Sequence, residues 1–226
     1  MRPLPRLLAF TDDRVAALDD LGVRAAAIAA TGPAVALVAR LPNGSTDRLA
    51  ALAQRFVANS AAPMAMVLVT GRIDVALAVG AAGVILRKDD LPVATARQVG
   101  HPGRREGSPY QDAVILRSVH SFAEAEQAVS DGADALIVGS IWPSATHPGR
   151  APAGTGLLTR VVALGVPTYA IGGVTPARAI EARAAGAWGV AVIAAVWDAE
   201  QPYHAARGIA QVWTNETSHT VDTQCS

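Results

Sequence analysis

The chain has one cysteine in 226 residues, Cys225, next to its C-terminus. A single thiol excludes an internal disulfide framework and any CxxC metal knuckle, and it suits a reducing cytoplasm. Aromatic residues are scarce too, at 4% against 51% hydrophobic residues overall. The core must therefore be built from Ala, Val, Leu and Ile, the palette of parallel strands covered on both faces by helices. Neither charge is in excess, with 19 Lys+Arg and 19 Asp+Glu. No basic surface argues for nucleic acid, so the expected partners are small molecules. No apolar run approaches the roughly eighteen residues of a membrane span, and residues 1–10 carry no sustained apolar segment, so no membrane partner is expected either.

What the chain does have is rhythm. Short apolar runs alternate with Ala-rich stretches from end to end, and that alternation predicts an α/β fold. Strands are expected at 7–11, 35–40, 65–70, 83–86, 113–119, 135–141, 168–171 and 189–194. Helices with apolar residues at three- and four-residue spacing are expected at 15–30, 46–59, 73–80, 91–99, 123–131, 156–165, 176–185 and 202–213. Eight such repeats predict a single-domain (β/α)8 TIM barrel over 1–213, ahead of an open doubly wound sheet. Two stretches break the rhythm: 100–112 reads as a surface loop, and 142–156, after the sixth strand, as a connector or lid. The tail 214–226 has no apolar period and is expected to be disordered. Exposed Trp and Ala on outer helices would suit a homo-oligomer.

The stretch TYAIGGVTPA, residues 168–177, joins an apolar strand to Gly172, Gly173 and a helix start at Thr175 and Pro176. Threonine caps orphan N–H groups, and proline suits the first helical position. Backbone N–H groups there can face an anion with no side chain in the way. The next strand leaves through Ile193 and Ala194, and the loops after strands 7 and 8 of such barrels commonly bind phosphate together. A small phosphate ligand is the predicted partner.

Polar residues at the C-terminal ends of strands are the other candidates: Thr11, Asp12, Arg40, Thr70, Arg72, Lys88, Asp89, Asp90, Ser118, His120, Ser140, Ser144, Thr146 and His147. Asp12 and Asp90 precede helices, where a carboxylate caps N–H groups as readily as it binds a ligand. Lys88 reads equally as a solvated charge. Ser118 and His120, two apart, share one face of their strand, and a histidine beside a hydroxyl can move protons near neutral pH. No HxH, HExxH or CxxC spacing points to a transition metal, while adjacent Asp89 and Asp90 offer a weak Mg²⁺ signal.

In this order, FTDD, VTGR, GVILRKDDLP, LRSVHS, GADALIVGSIWPSATH, VPTYAIGGVTP and GAWGVAVIAAV resemble the motifs of the thiamine-phosphate synthase/TenI group of barrels. The resemblance spans residues 7–196 and implies a thiamine-biosynthesis protein in which Gly172, Gly173, Ile193 and Ala194 cradle a thiazole phosphate. The family's synthases join a hydroxymethylpyrimidine diphosphate to that thiazole phosphate with Mg²⁺. Their Gln-x-Arg-x-Lys falls on Val38, Arg40 and Pro42, and their Asn-Asp falls on Thr70 and Gly71. Their second Mg²⁺ carboxylate falls on Asp90, and their diphosphate lysine falls on His147, preceded by Ser144 and Thr146. These departures, with Gly71–Arg72 and SVHS, favour the family's other branch, a thiazole tautomerase that needs no cofactor. That branch's catalytic histidine falls on Ser140, which leaves His120, beside Ser118, as the expected proton carrier. Arg40, Thr70 and Arg72 are expected on the substrate. The synthase and a non-catalytic thiazole or thiamine phosphate binder are the alternatives.

Overall fold

A computed structural model describes residues 3–60, 65–99, 113–144 and 151–214. Eight parallel strands close on themselves in chain order: β1 (Leu7–Phe10), β2 (Val35–Ala39), β3 (Met66–Thr70), β4 (Gly83–Leu86), β5 (Val114–Val119), β6 (Ala135–Gly139), β7 (Thr168–Ile171) and β8 (Gly189–Val192). Registers such as Val38 opposite Leu68 and Leu7 opposite Val190 stitch each strand to the next and β8 back to β1. Around the barrel run α1 (Asp13–Ala16), α2 (Leu21–Ala29), α3 (Thr46–Asn59), α4 (Ile73–Val79), α5 (Val93–Val99), α6 (Phe122–Ser130), α7 (Gly154–Val162), α8 (Pro176–Ala184), α9 (Ala194–Trp197) and α10 (Pro202–Gln211). Among the described residues no helix is long and apolar enough to cross a membrane.

Strand side chains alternate, and the two sets form two cores. Leu8, Val38, Leu68, Ile85, Leu116, Ile137 and Ala191 fill the barrel. Leu7, Leu37, Val69, Leu86, Val138 and Val190 pack outward under the helices. This inward parity sets which residues reach the mouth.

Three expectations need correction. The helix expected over 15–30 is two, α1 and α2, because Asp19 and Asp20 favour a turn over a continuous helix. Asp20 instead pairs with Arg24 at 2.8 Å, and Arg24 also donates to the carbonyls of Trp197 and Ala199. The strand expected to reach 194 ends at Val192, and α9 follows it at once. The tryptophans do not form an exposed patch: Trp197 is fully buried and Trp142, Trp188 and Trp213 are half-buried, while among the described residues Val23, Leu91 and Ile180 are the large apolar side chains left exposed. The stretches 100–112 and 145–150 and the tail from 215 lie outside the described residues.

Residues 3–6 close the N-terminal end of the barrel. Tyr169 Oη donates to the Pro5 carbonyl at 2.6 Å, Trp188 Nε1 donates to it at 3.1 Å, and the Arg6 guanidinium lies 3.6 Å from the centre of the Trp188 ring. Burial pushes the Tyr169 phenol well above its ordinary value, and Arg6 opposes that only in part. A raised folded value means that Tyr169 contributes stability below its unfolded value of about 10 and loses it as pH rises beyond. Tyr169→Phe is expected to cost about 1 kcal/mol at neutral pH, the net value of one hydrogen bond. Urea unfolding at about pH 9 and about pH 11 should show the wild type losing the larger share of its stability, by up to about 1.4 kcal/mol per pH unit from this group. Equal losses in the two proteins would remove Tyr169 as the cause.

Candidate active site at the barrel mouth

Extending the inward parity past the strand ends puts Arg40 after Val38, Thr70 after Leu68, Arg87 after Ile85, and Ser118 and His120 after Leu116. All five line one cavity of about 830 Å³ at the C-terminal mouth, over an apolar floor that includes Phe10, Ile137, Ile171 and Ala191. A space of that size admits a small-molecule ligand, or two.

The β2–β4 side is cationic. Thr11 Oγ1 accepts from the Arg40 N–H at 2.9 Å and donates to the Arg40 carbonyl at 2.7 Å, which fixes the backbone where the guanidinium leaves the strand. Among the described residues that half-buried guanidinium makes no hydrogen bond. Burial lowers its pKa first, Arg87 lowers it further, and Asp12 and Asp13 only partly compensate. On the next strand Thr70 is 8% exposed, and its Oγ1 is buried with no hydrogen-bond partner among the described residues. One strand further, Arg87 forks onto Asp90 through Nε at 3.1 Å and Nη2 at 3.0 Å, and its backbone N–H donates to Asp90 at 2.6 Å. Buried polar groups normally find partners, so Arg40 and Thr70 together make this side of the mouth a candidate ligand position.

Beside them Lys88 Nζ lies 3.4 Å from Glu124, whose other oxygen accepts the His120 N–H at 2.7 Å. Burial pushes the Glu124 carboxyl up, but the bonds from His120 and Lys88 outweigh it and hold the group below its ordinary value. The Nδ1 of His120 meets the Gly139 carbonyl. A carbonyl only accepts, so Nδ1 carries the proton and Nε2 is the acceptor nitrogen of the neutral ring.

Across the barrel, β7 ends at Gly172 (φ +95) and Gly173 (φ +65). A Cβ on Gly172 would sit 1.9 Å from Ser140 Oγ, and one on Gly173 would sit 2.2 Å from the Pro143 carbonyl oxygen. Glycine is required here by backbone sign and by the close approach of the β6 and β7 loops. Thr175 caps α8 by accepting from the Arg178 N–H at 3.2 Å, and Arg178 Nη1 returns to the Gly173 carbonyl at 2.6 Å. Ser140 donates to the Trp142 carbonyl at 3.1 Å. Ser144, Ile193 and Ala194 complete this wall.

Not every candidate is brought here. Gly71 (φ +77) turns the chain, so Arg72 leaves the alternation, stands at the N-cap of α4 and bonds to Asp74 and Thr46 instead of lining the cavity. Asp90, expected on a metal, is taken by Arg87. Asp12 caps α1, accepting from the Val15 N–H at 2.8 Å. Thr146 and His147 lie outside the described residues. Arg87, Glu124 and Arg178 were missed. Counting two on from inward Ile85 would have found Arg87, and the spacing Ser121-x-x-Glu124 marks a helix start. Nothing local distinguishes Arg178 from any helix arginine.

A closed parallel barrel whose unpaired polar groups meet at the C-terminal mouth over an apolar floor is a small-molecule site of the (β/α)8 class. The chain belongs to the thiamine monophosphate synthase family, whose model matches residues 7–196. It is 39% identical to the thiamine-phosphate synthase of Salinispora arenicola (strain CNS-205), covering 95% of this chain and 100% of the relative. The thiamine-phosphate synthase of Salinispora tropica is also 39% identical, with the same coverage. Among solved structures, thiamine phosphate pyrophosphorylase from Pyrococcus furiosus superposes with a TM-score of 0.74 at 30% identity, over 92% of this chain and 94% of that one. A 3-hexulose-6-phosphate synthase, at 16% identity and a TM-score of 0.64, shares the fold alone. These end-to-end relatives overturn the expected tautomerase: they are named synthases, and an isomerase assignment built on missing motif residues does not stand against them.

Proposed function

We propose that this chain is a thiamine-phosphate synthase, a transferase that joins a hydroxymethylpyrimidine diphosphate to a thiazole phosphate. One observation carries this: the cavity has ligand-seeking groups on opposite sides of the barrel, Arg40, Thr70 and Arg87 on β2–β4 and the Gly172–Gly173 turn with Arg178 after β7, with an apolar floor between. Two phosphate-bearing substrates that react through their ring portions need that layout. The thiazole nitrogen forms a bond to the pyrimidine methylene while the C–O bond to diphosphate breaks, and pyrophosphate leaves with the electron pair. No proton need move for that bond to form, so the task is to hold two rings in line and to stabilise the leaving charge. Arg40 and Thr70 would face the diphosphate, and the β7 and β8 turns would hold the thiazole phosphate through backbone N–H groups. His120 would offer Nε2 to a ring as an acceptor, with its tautomer set by Gly139.

The family resemblance implies Mg²⁺ for a synthase, and the described residues do not fit it. Both Asp90 oxygens are occupied by Arg87, the position beside them is Gly71, and among the described residues no three His, Cys, Asp or Glu side chains converge as metal ligands. No step above is routed through a metal.

Incubation of the purified chain with both substrates is expected to release thiamine phosphate and pyrophosphate in equal amounts, read by chromatography. Binding of both substrates with no product would sink the transferase and leave a binder of thiazole and thiamine phosphates.

A further inference from the structure

The mismatch with a metal has a structural counterpart. A Cβ on Gly71 would lie 3.1 Å from Arg87 Nη2 and 3.1 and 3.2 Å from the two Asp90 oxygens. The Arg87–Asp90 pair therefore closes against bare backbone, and a longer residue at 71 would compete for the same space. Asp90 is 10% exposed and Arg87 55%, so the carboxylate is buried beneath a guanidinium that still faces the mouth. Arg40, Thr70 and Arg87 stand at the C-terminal ends of three successive strands, in an arc one strand wide on either side of Thr70. An ion pair closing the turn after β4, where the Asp90 N–H also meets the Arg87 carbonyl at 3.0 Å, accounts for Asp90. It accounts neither for the Arg40 guanidinium nor for the buried Thr70 hydroxyl, both without a hydrogen-bond partner among the described residues.

We propose that the Arg87 guanidinium, locked by Asp90 against Gly71, stands in place of a divalent cation, so that Arg40, Thr70 and Arg87 bind a diphosphate group without metal. That the anion is a diphosphate rests on the synthase function proposed above; the metal-free arc rests on the geometry. A guanidinium suits this task because its planar fork can hold a carboxylate on one edge and meet phosphate oxygens with its remaining N–H groups. Thr70 supplies a hydroxyl donor that pairs on binding, and Arg40 gains a counter-charge that its like-charged neighbour Arg87 cannot give.

The test is calorimetric titration of the full chain with inorganic pyrophosphate, in excess EDTA and again with Mg²⁺. Pyrophosphate is expected to bind in EDTA, with no gain from Mg²⁺. Arg87→Met is expected to weaken binding in EDTA by about tenfold to a hundredfold, the scale of losing charge-assisted hydrogen bonds. The double change Gly71→Asp with Arg87→Gly should restore binding only with Mg²⁺, since a second carboxylate then faces Asp90 with the guanidinium gone. Wild-type binding that requires Mg²⁺ overturns the arc whether or not the variants fold. Pyrophosphate binding in EDTA without thiamine phosphate formation keeps the arc and rejects the synthase. Thiamine phosphate formation that EDTA abolishes does the reverse.

Discussion

Arg40→Met is expected to lower kcat/KM for thiamine phosphate formation by about 10²–10³-fold, the cost of losing one preorganised charge-stabilising group. On the proposed synthase reading the fall should lie mainly in kcat, because the charge Arg40 would meet grows as the C–O bond to diphosphate breaks. The stability of the free protein should move the other way or not at all. Arg40 is half-buried, makes no hydrogen bond among the described residues, and is disfavoured first by burial and then by Arg87. Removing a group that the fold holds at a cost relieves that cost, as at other strained functional sites. Arg40→Lys keeps the charge without the planar fork and should recover only part of the rate. Steady-state kinetics with a thermal melt decide the matter: a lower Tm with kcat/KM intact would make Arg40 a structural residue.

The largest stability effect is expected at Trp197. It is fully buried at the end of α9 and stacks on Phe56 of α3, with ring centres 6.1 Å apart and planes 19° from parallel. Its carbonyl accepts from Arg24 at 3.0 Å, which ties α9 to α2. Trp197→Ala leaves a cavity that this packing cannot readily close, and about 3–5 kcal/mol is the usual cost, a large share of the roughly 5–15 kcal/mol that holds an ordinary domain. Trp197→Phe should cost much less, because the stack survives and the indole N–H, buried without a partner among the described residues, is removed. Urea unfolding should show the midpoint falling with little change in slope. Because α9 begins at Ala194, on the cavity wall, the alanine variant should also weaken ligand binding. Equal midpoints for the alanine variant and the wild type would mean that α9 is not part of the cooperative core.

The barrel was legible because strand and helix carry different hydrophobic periods, and eight alternations leave few other closures. Boundaries slipped where turn chemistry competes with helix, as at Asp19–Asp20, and where a strand passes straight into a helix, as at Val192–Ala194. At the mouth, Arg40, Thr70, Ser118 and His120 could be named from strand position, since a period of two carries past the strand end. Arg72 could not be excluded the same way, because a left-handed glycine resets the parity. Along the chain alone, the family carboxylate missing at Gly71 implies lost synthase chemistry. In sequence Arg87 and Gly71 are sixteen positions apart, and only the register of β3 with β4 brings them within contact.

By itself, the sequence determined what depends on neighbours along the chain: the alternation that makes the barrel, the glycine pair and helix cap after β7, the family's motif order, and the apolar character of the core. Tertiary structure alone decided which charges are spent and which remain available. Asp90 is consumed by Arg87, Glu124 by His120 and Lys88, and Arg72 by Asp74, while among the described residues Arg40 is left unbonded and Thr70 without a partner. Pairing is a matter of ångströms between residues on different strands, and a linear sequence carries no distances.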